Sequence, residues 1–176
     1  ALDGVCRLIE QFTRTRNFIV TDAGGQRIAA ASTLWAMIDV KTRQPLDLRD
    51  NVDYSRALLA IPCPIDKPAK IGRIEGVPCD SRRVRYSDID FNQHTNSMKY
   101  IQWMLDALPL EKLTGCRMKR LDVNFVHETR YGQQLVVCCE CGTDRDRFEI
   151  RFEDGTAACK AAIRWETSDE RSNQTA

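Results

Sequence analysis

Asp90, Asn92, His94 and Asn96 stand at alternate positions within one short polar segment, and His94 is one of only two histidines in the chain. A carboxylate, an amide and an imidazole held together can activate water, relay a proton and polarise a carbonyl. If a helix begins just beyond them, its free backbone N–H groups add a place for a developing oxyanion. The target of such a set is an activated carbonyl attacked by water. Asp90, Asn92 and Asn96 also suit the role of caps on their own backbone. One such residue would favour capping alone, whereas four at alternate positions favour a site.

The elements that must hold this loop are readable. Arg82 to Asp90 reads as an extended segment, and Asn96 is a good helix N-cap. Ile101, Met104, Leu105 and Leu108 recur at helical spacing, and Pro109 stops the helix. Four strands follow, at residues 117–130, 134–141, 147–152 and 156–165, separated by turns at Gly132, residues 142–146 and Asp154-Gly155. An extended segment, one helix and a run of antiparallel strands predict a sheet wrapped round a central helix. Tyr100 and Trp103 read as helix-packing residues. In the first third, residues 6–12, 16–21 and 26–39 read as strands, with a turn at Asp22-Ala23-Gly24-Gly25. No helix with a clean apolar stripe stands out before residue 78. The strands at 6–39 are therefore expected to have a concave face without a helix of its own, leaving Phe12, Phe18, Leu34 and Trp35 partly uncovered. The expected organisation is a partial first domain at 1–46, a linker at 47–79, a second domain at 80–167 and a disordered tail at 168–176.

Composition narrows the class. The 176 residues are 43% hydrophobic and 29% charged, with a net charge of +1, as in a globular domain. No apolar run is long enough to span a bilayer, and the charge predicts no nucleic-acid partner. Basic residues still cluster, at Arg82, Arg83 and Arg85 and again at Arg117, Lys119 and Arg120. Each cluster alone suits a solvated face better, with a docking patch for an acidic partner as the functional alternative. Eight cysteines include Cys138-Cys139-Glu140-Cys141, but no second spaced pair completes a zinc set. They read as small hydrophobes, with no metal and no disulfide expected.

The stretch Ser87-Asp88-Ile89-Asp90-Phe91-Asn92-Gln93-His94, with Asn96, Tyr100 and Trp103, resembles the signature of plant plastid and bacterial acyl-ACP thioesterases. Residues 123–132 resemble the second catalytic segment of that family. Thr15-Arg16-Asn17-Phe18, residues 35–39 and Thr42-Arg43-Gln44-Pro45 resemble its first domain. The resemblance implies an α+β fold of tandem hot-dog domains with the first copy incomplete, in a bacterial member lacking its N-terminal segment. It implies hydrolysis of fatty acyl thioesters on acyl carrier protein, without a cofactor, with Asp90, Asn92, His94 and Glu128 as catalytic residues. By this reading Asp90 with Glu128 activates water, while His94 and Asn92 fix that carboxylate or polarise the carbonyl. The carrier would meet the Arg82–Arg85 or Arg117–Arg120 region, and a homodimer is compatible. Location would be cytoplasmic for a bacterial protein, and plastid for a plant protein without its transit peptide. The rivals are a hot-dog acyl-CoA thioesterase or dehydratase, and a non-catalytic acyl-binding protein.

Many plant members carry a Cys after the catalytic Glu; Thr129 stands here, which favours water as the nucleophile. Strand alternation places Glu128 on the face of Asp122 and Asn124, so a bulge, or a site between two domains, is needed to bring it round. His127 reads as a hydrogen-bonded core imidazole.

Overall fold

A computed structural model describes residues 2–9, 13–42, 44–51 and 63–166. The chain divides into two compact units, Ala1–Pro68 and Ala69–Ala176. The division falls inside the expected linker, and the expected tail lies outside the described residues.

The first unit contains a three-stranded antiparallel sheet in the order β1 (Leu2–Ile9), β2 (Thr13–Thr21), β3 (Arg27–Ala36). Gly25 closes the β2–β3 turn at φ 83°, a conformation that L side chains resist. Residues 28–36, alanine-rich enough to suggest a helix, are held as a strand by pairing along the whole length of β2. Ile28, Leu34 and Trp35 are exposed and Phe18 is half-buried. Phe12 and residues 52–62 lie outside the described residues, and α1 (Leu48–Asn51) is the one helix described in this unit.

The second unit is a five-stranded antiparallel sheet in the order β4-β6-β7-β8-β5. Its strands are β4 (Val77–Arg83), β5 (Met118–Phe125), β6 (Gln134–Cys141), β7 (Arg145–Phe152) and β8 (Ala157–Trp165). Gly155, at φ 83°, makes the β7–β8 turn. Helix α2 (Ser97–Asp106) lies against one face. Its Tyr100, Trp103 and Met104 pack with Leu108 against Leu135, Val137, Phe148, Ile150, Ala161 and Ile163. Each large side chain so buried contributes about 1.5–3 kcal/mol. The stripe therefore centres on 100, 103, 104 and 108, and Ile101 and Leu105 sit at its half-buried edge.

The helix start is as expected, with the Asn96 side chain accepting the Met98 N–H at 2.9 Å. Two local features differ from the sequence reading. The extended segment ends at Arg83 and tightens into a 3-10 turn at Tyr86–Asp88. Past Pro109 the chain enters a second short helix, α3 (Leu110–Gly115). Pro109 precedes its first turn, where a missing N–H costs nothing. Lys112 of α3 reaches the fully buried Asp146 carboxylate at 2.7 Å, and Trp165 Nε1 donates to the same carboxylate at 2.6 Å.

A strap, residues 69–75, crosses the opposite sheet face without joining it as a strand. Its backbone polar groups are met by side chains instead of by a neighbouring strand. Asp122 Oδ1 accepts from Ala69 N at 3.1 Å, and Asn124 accepts from Ile71 N at 2.8 Å and donates to Ala69 O. Lys160, Arg147 and Arg151 donate to the carbonyls of Gly72, Arg73 and Ile74, and Glu140 accepts from Glu75 N. Ile71 and Ile74 bury themselves with Ala162 beneath it. The alternation of β6 puts Cys138 in the interior of this face, whereas Cys141 is exposed. Among the described residues, no helix is long and apolar enough to cross a membrane.

Two outcomes follow from this architecture. Asn96→Ala removes the α2 cap and should lower stability by about 1 kcal/mol, read as a lower urea midpoint at unchanged slope. The side-chain hydrogen bond from Arg120 holds the Asp122 carboxyl below its ordinary 3.8 in the folded chain. Its contribution is therefore fully present above pH 3.8 and is lost as pH falls through the lower folded value. The melting temperature should drop across that acid range, and more shallowly in Asp122→Asn, which keeps an acceptor for Ala69 N–H.

Candidate active site

The polar segment noted in the sequence forms a tight loop between the 3-10 turn and α2. Asp88, buried, anchors its entry: Oδ2 accepts from Arg85 N at 2.8 Å, and Oδ1 lies 3.6 Å from Lys99 Nζ on α2. Ile89 and Thr95 pair as an isolated antiparallel bridge, and Asp90 N donates to His94 O at 2.9 Å. Asp90 Oδ1 accepts from Asn92 N at 2.8 Å and from His94 N at 3.4 Å. The loop turns at Gln93, whose φ of 64° is left-handed. One Asp90 oxygen thus braces the loop, as the capping reading anticipated, and Oδ2 accepts from none of the described residues.

Glu128 reaches the loop from the far end of β5. The strand ends at Phe125, and the next two residues, Val126 and His127, both donate their N–H to Ala158 O, at 2.9 and 3.0 Å. Two residues opposite one is the hydrogen-bond signature of a bulge. The extra residue breaks the alternation that keeps Asp122 and Asn124 under the strap, and Glu128 faces His94. His94 Nε2 lies 3.3 Å from Glu128 Oε2, with the carboxylate about half exposed. Arg130 Nη2 stands 3.5 Å from the same nitrogen. Both separations are at the long end of the hydrogen-bond range. His94, Glu128 and the loop held by Asp90 therefore meet, while the Asn92 side chain is exposed.

Three neighbours take on different places. His127 is exposed rather than buried in the core, with Nδ1 2.8 Å from Ala157 O, because the bulge swings it outward. Thr129 is fully buried, so its hydroxyl cannot meet a substrate. It donates to Thr95 Oγ1 at 2.6 Å and lies 2.7 Å from Tyr100 Oη, while Thr129 N donates to the same phenol oxygen at 3.1 Å. Thr95 N donates to Thr129 O at 2.8 Å. Burial pushes the Tyr100 phenol above its usual value, so it remains protonated near neutrality. In sequence, the one signal for Thr95 is its position beside His94.

Burial also pushes the thiols of Cys139 and Cys141 up to about 11 and that of Cys159 up to about 12. Among these, none is a thiolate near neutrality, so none is an activated nucleophile.

The basic clusters are unequally engaged. Arg82 pairs with Asp80 at 2.6 Å and Asp106 at 3.3 Å, and Arg120 with Asp122 at 2.7 Å. Lys119 and Arg117 lie 3.7 and 4.0 Å from the buried carboxylate of Glu166. Arg83 and Arg85 are exposed.

A helix cradled by a five-stranded antiparallel sheet, with a polar loop at the helix N-terminus, is the hot-dog fold. The family model described as acyl-ACP thioesterase C-terminal domain matches residues 75–167, and the chain belongs to that family. A solved acyl-ACP thioesterase from Bacteroides thetaiotaomicron is 30% identical, with a TM-score of 0.85 over 94% of this chain and 68% of that one. The 12:0-ACP thioesterase from Umbellularia californica has the same fold, with a TM-score of 0.77 and 18% identity over 94% of this chain and 65% of the other. The chloroplastic palmitoyl-acyl carrier protein thioesterase of Cuphea hookeriana is 27% identical over 167 residues, which are 85% of this chain and 40% of that protein. The chain thus spans about two fifths of the length of the curated relatives it matches.

Proposed function

We propose that the chain serves hydrolysis of the thioester joining a fatty acyl group to acyl carrier protein. The observation that carries this reading is the approach of His94 to Glu128 at the start of α2, in a chain whose family is that of acyl-ACP thioesterases. Water is the nucleophile. Glu128, with the second oxygen of Asp90, takes its proton as the water oxygen attacks the thioester carbonyl carbon. The Asn92 amide stabilises the tetrahedral oxyanion, because Asn96, Met98 and Lys99 at the helix start already donate their N–H groups within the fold. Collapse breaks the carbon–sulfur bond, and the proton returns through His94 to the departing thiolate. The products are a fatty acid and the carrier's free thiol, so the proposed reaction consumes no cofactor.

The acidic carrier is proposed to approach Arg83 and Arg85, the exposed members of the cluster before the loop. Arg82 and the Arg117–Arg120 group, already close to carboxylates of the fold, contribute less to the encounter.

Release of free fatty acid from a panel of acyl-ACPs tests the reading. Asp90→Asn keeps the Oδ1 acceptor that braces the loop, and Glu128→Gln keeps the shape of its side chain. Each should lower turnover by ~10²–10⁴ with the melting temperature nearly unchanged. Wild-type turnover in both variants would sink the mechanism. Charge reversal at Arg83 and Arg85 should weaken use of acyl-ACP more than of a small acyl thioester, and the difference should shrink in high salt. An equal loss on both substrates would point to folding rather than docking.

A further inference from the structure

The catalytic pair sits on two segments far apart in sequence, and a buried set of hydroxyls ties those segments together one residue away from each partner. Thr95 follows His94, and Thr129 follows Glu128. Thr95 and Thr129 are joined twice, by the 2.8 Å backbone bond from Thr95 N to Thr129 O and by the 2.6 Å bond between their hydroxyls. Tyr100, in the first turns of α2, closes the set by accepting Thr129 N–H and meeting the Thr129 hydroxyl. All three residues are buried. The phenol is itself held by edge-on packing against Trp103 and Phe125, with ring centres 5.7 and 5.9 Å away.

We propose that Thr129, with Tyr100 and Thr95, is a positioning clasp that sets the His94–Glu128 separation. This rests on the functional reading of that pair. None of the three touches substrate. The clasp joins the loop, the bulged segment after β5 and the helix one residue away from each side chain of the pair. The bulge makes this fastening necessary, because beyond Phe125 regular strand pairing no longer holds the segment that carries Glu128. Within the clasp the hydrogens have one consistent order: Thr129 N–H to the phenol oxygen, phenol O–H to Thr129 Oγ1, and Thr129 O–H to Thr95 Oγ1. Removing the Thr129 hydroxyl therefore breaks both of its side-chain links while leaving the backbone bond. Glu128 should then shift relative to His94, with the substrate-binding surface undisturbed.

The test compares Thr129→Val, which keeps the shape without the hydroxyl, Thr129→Ser, which restores it, and Tyr100→Phe. Steady-state hydrolysis of an acyl-ACP is measured on the folded protein below each variant's melting temperature, with Glu128→Gln in parallel. A misplacement near an ångström can cost about 100-fold, so Thr129→Val and Tyr100→Phe should lower kcat about 10-fold or more. KM should stay within about twofold, and Thr129→Ser should restore most of kcat. A purely structural role would lower the melting temperature and leave kcat of the folded protein unchanged. That result, with Glu128→Gln inactive, overturns the clasp and spares the functional reading. Full activity in Glu128→Gln overturns the reading and the clasp with it. If Thr129→Val fails to fold, Tyr100→Phe and Thr129→Ser decide by the same kcat criterion.

Discussion

Burial of Tyr100, Trp103 and Met104 beneath the sheet fixes helix α2, and the candidate site loop takes its position from the start of that helix. The driving force is the removal of large aromatic and aliphatic surface from water, which has no directional preference of its own. Direction comes from the helix period, which aligns positions 100, 103 and 104 on one side and leaves the polar loop at the N-terminus. Asn96 caps that end, Asp88 anchors the loop entry, and Asp90 braces the turn at Gln93. The loop is thus rigid for local reasons and correctly placed for a global one.

The other face of the sheet meets a different constraint. The strap at 69–75 covers it crosswise, where strand pairing is geometrically unavailable, so its amides and carbonyls depend on Asp122, Asn124, Glu140, Arg147, Arg151 and Lys160. This explains why the outer positions of these strands are charged or amide-bearing. Their charge is structural, and the same holds for Arg82 and Arg120 within the basic clusters. A count of basic residues overstates what is left for a partner.

Much of the second unit was legible in the sequence. The cap at Asn96, the interior role of Tyr100 and Trp103, and strand β6 to the residue follow from short-range preferences that the tertiary structure had no reason to override. Helix α3 was not legible, because Pro109 reads equally as the end of one helix and the entry to the next. What selected the second outcome was Lys112 reaching Asp146, a residue on a strand more than thirty positions away.

The candidate site divides in the same way. Residue type and alternate spacing were enough to single out Asp90, Asn92 and His94, since a loop of that composition before a helix start is defined by neighbours in sequence. The family resemblance named Glu128, but only tertiary structure brings it to His94. Its strand phase pointed away from His94, and the reversal arises where Val126 and His127 share the Ala158 carbonyl, on a strand that the local sequence does not contain. Thr129 shows the same limit. Its sequence position argued only against a cysteine nucleophile, whereas its burial and its bonds to Thr95 and Tyr100 exist because three separate segments converge there. Periodicity is a property of one segment, and a hydrogen bond between segments depends on how both are packed.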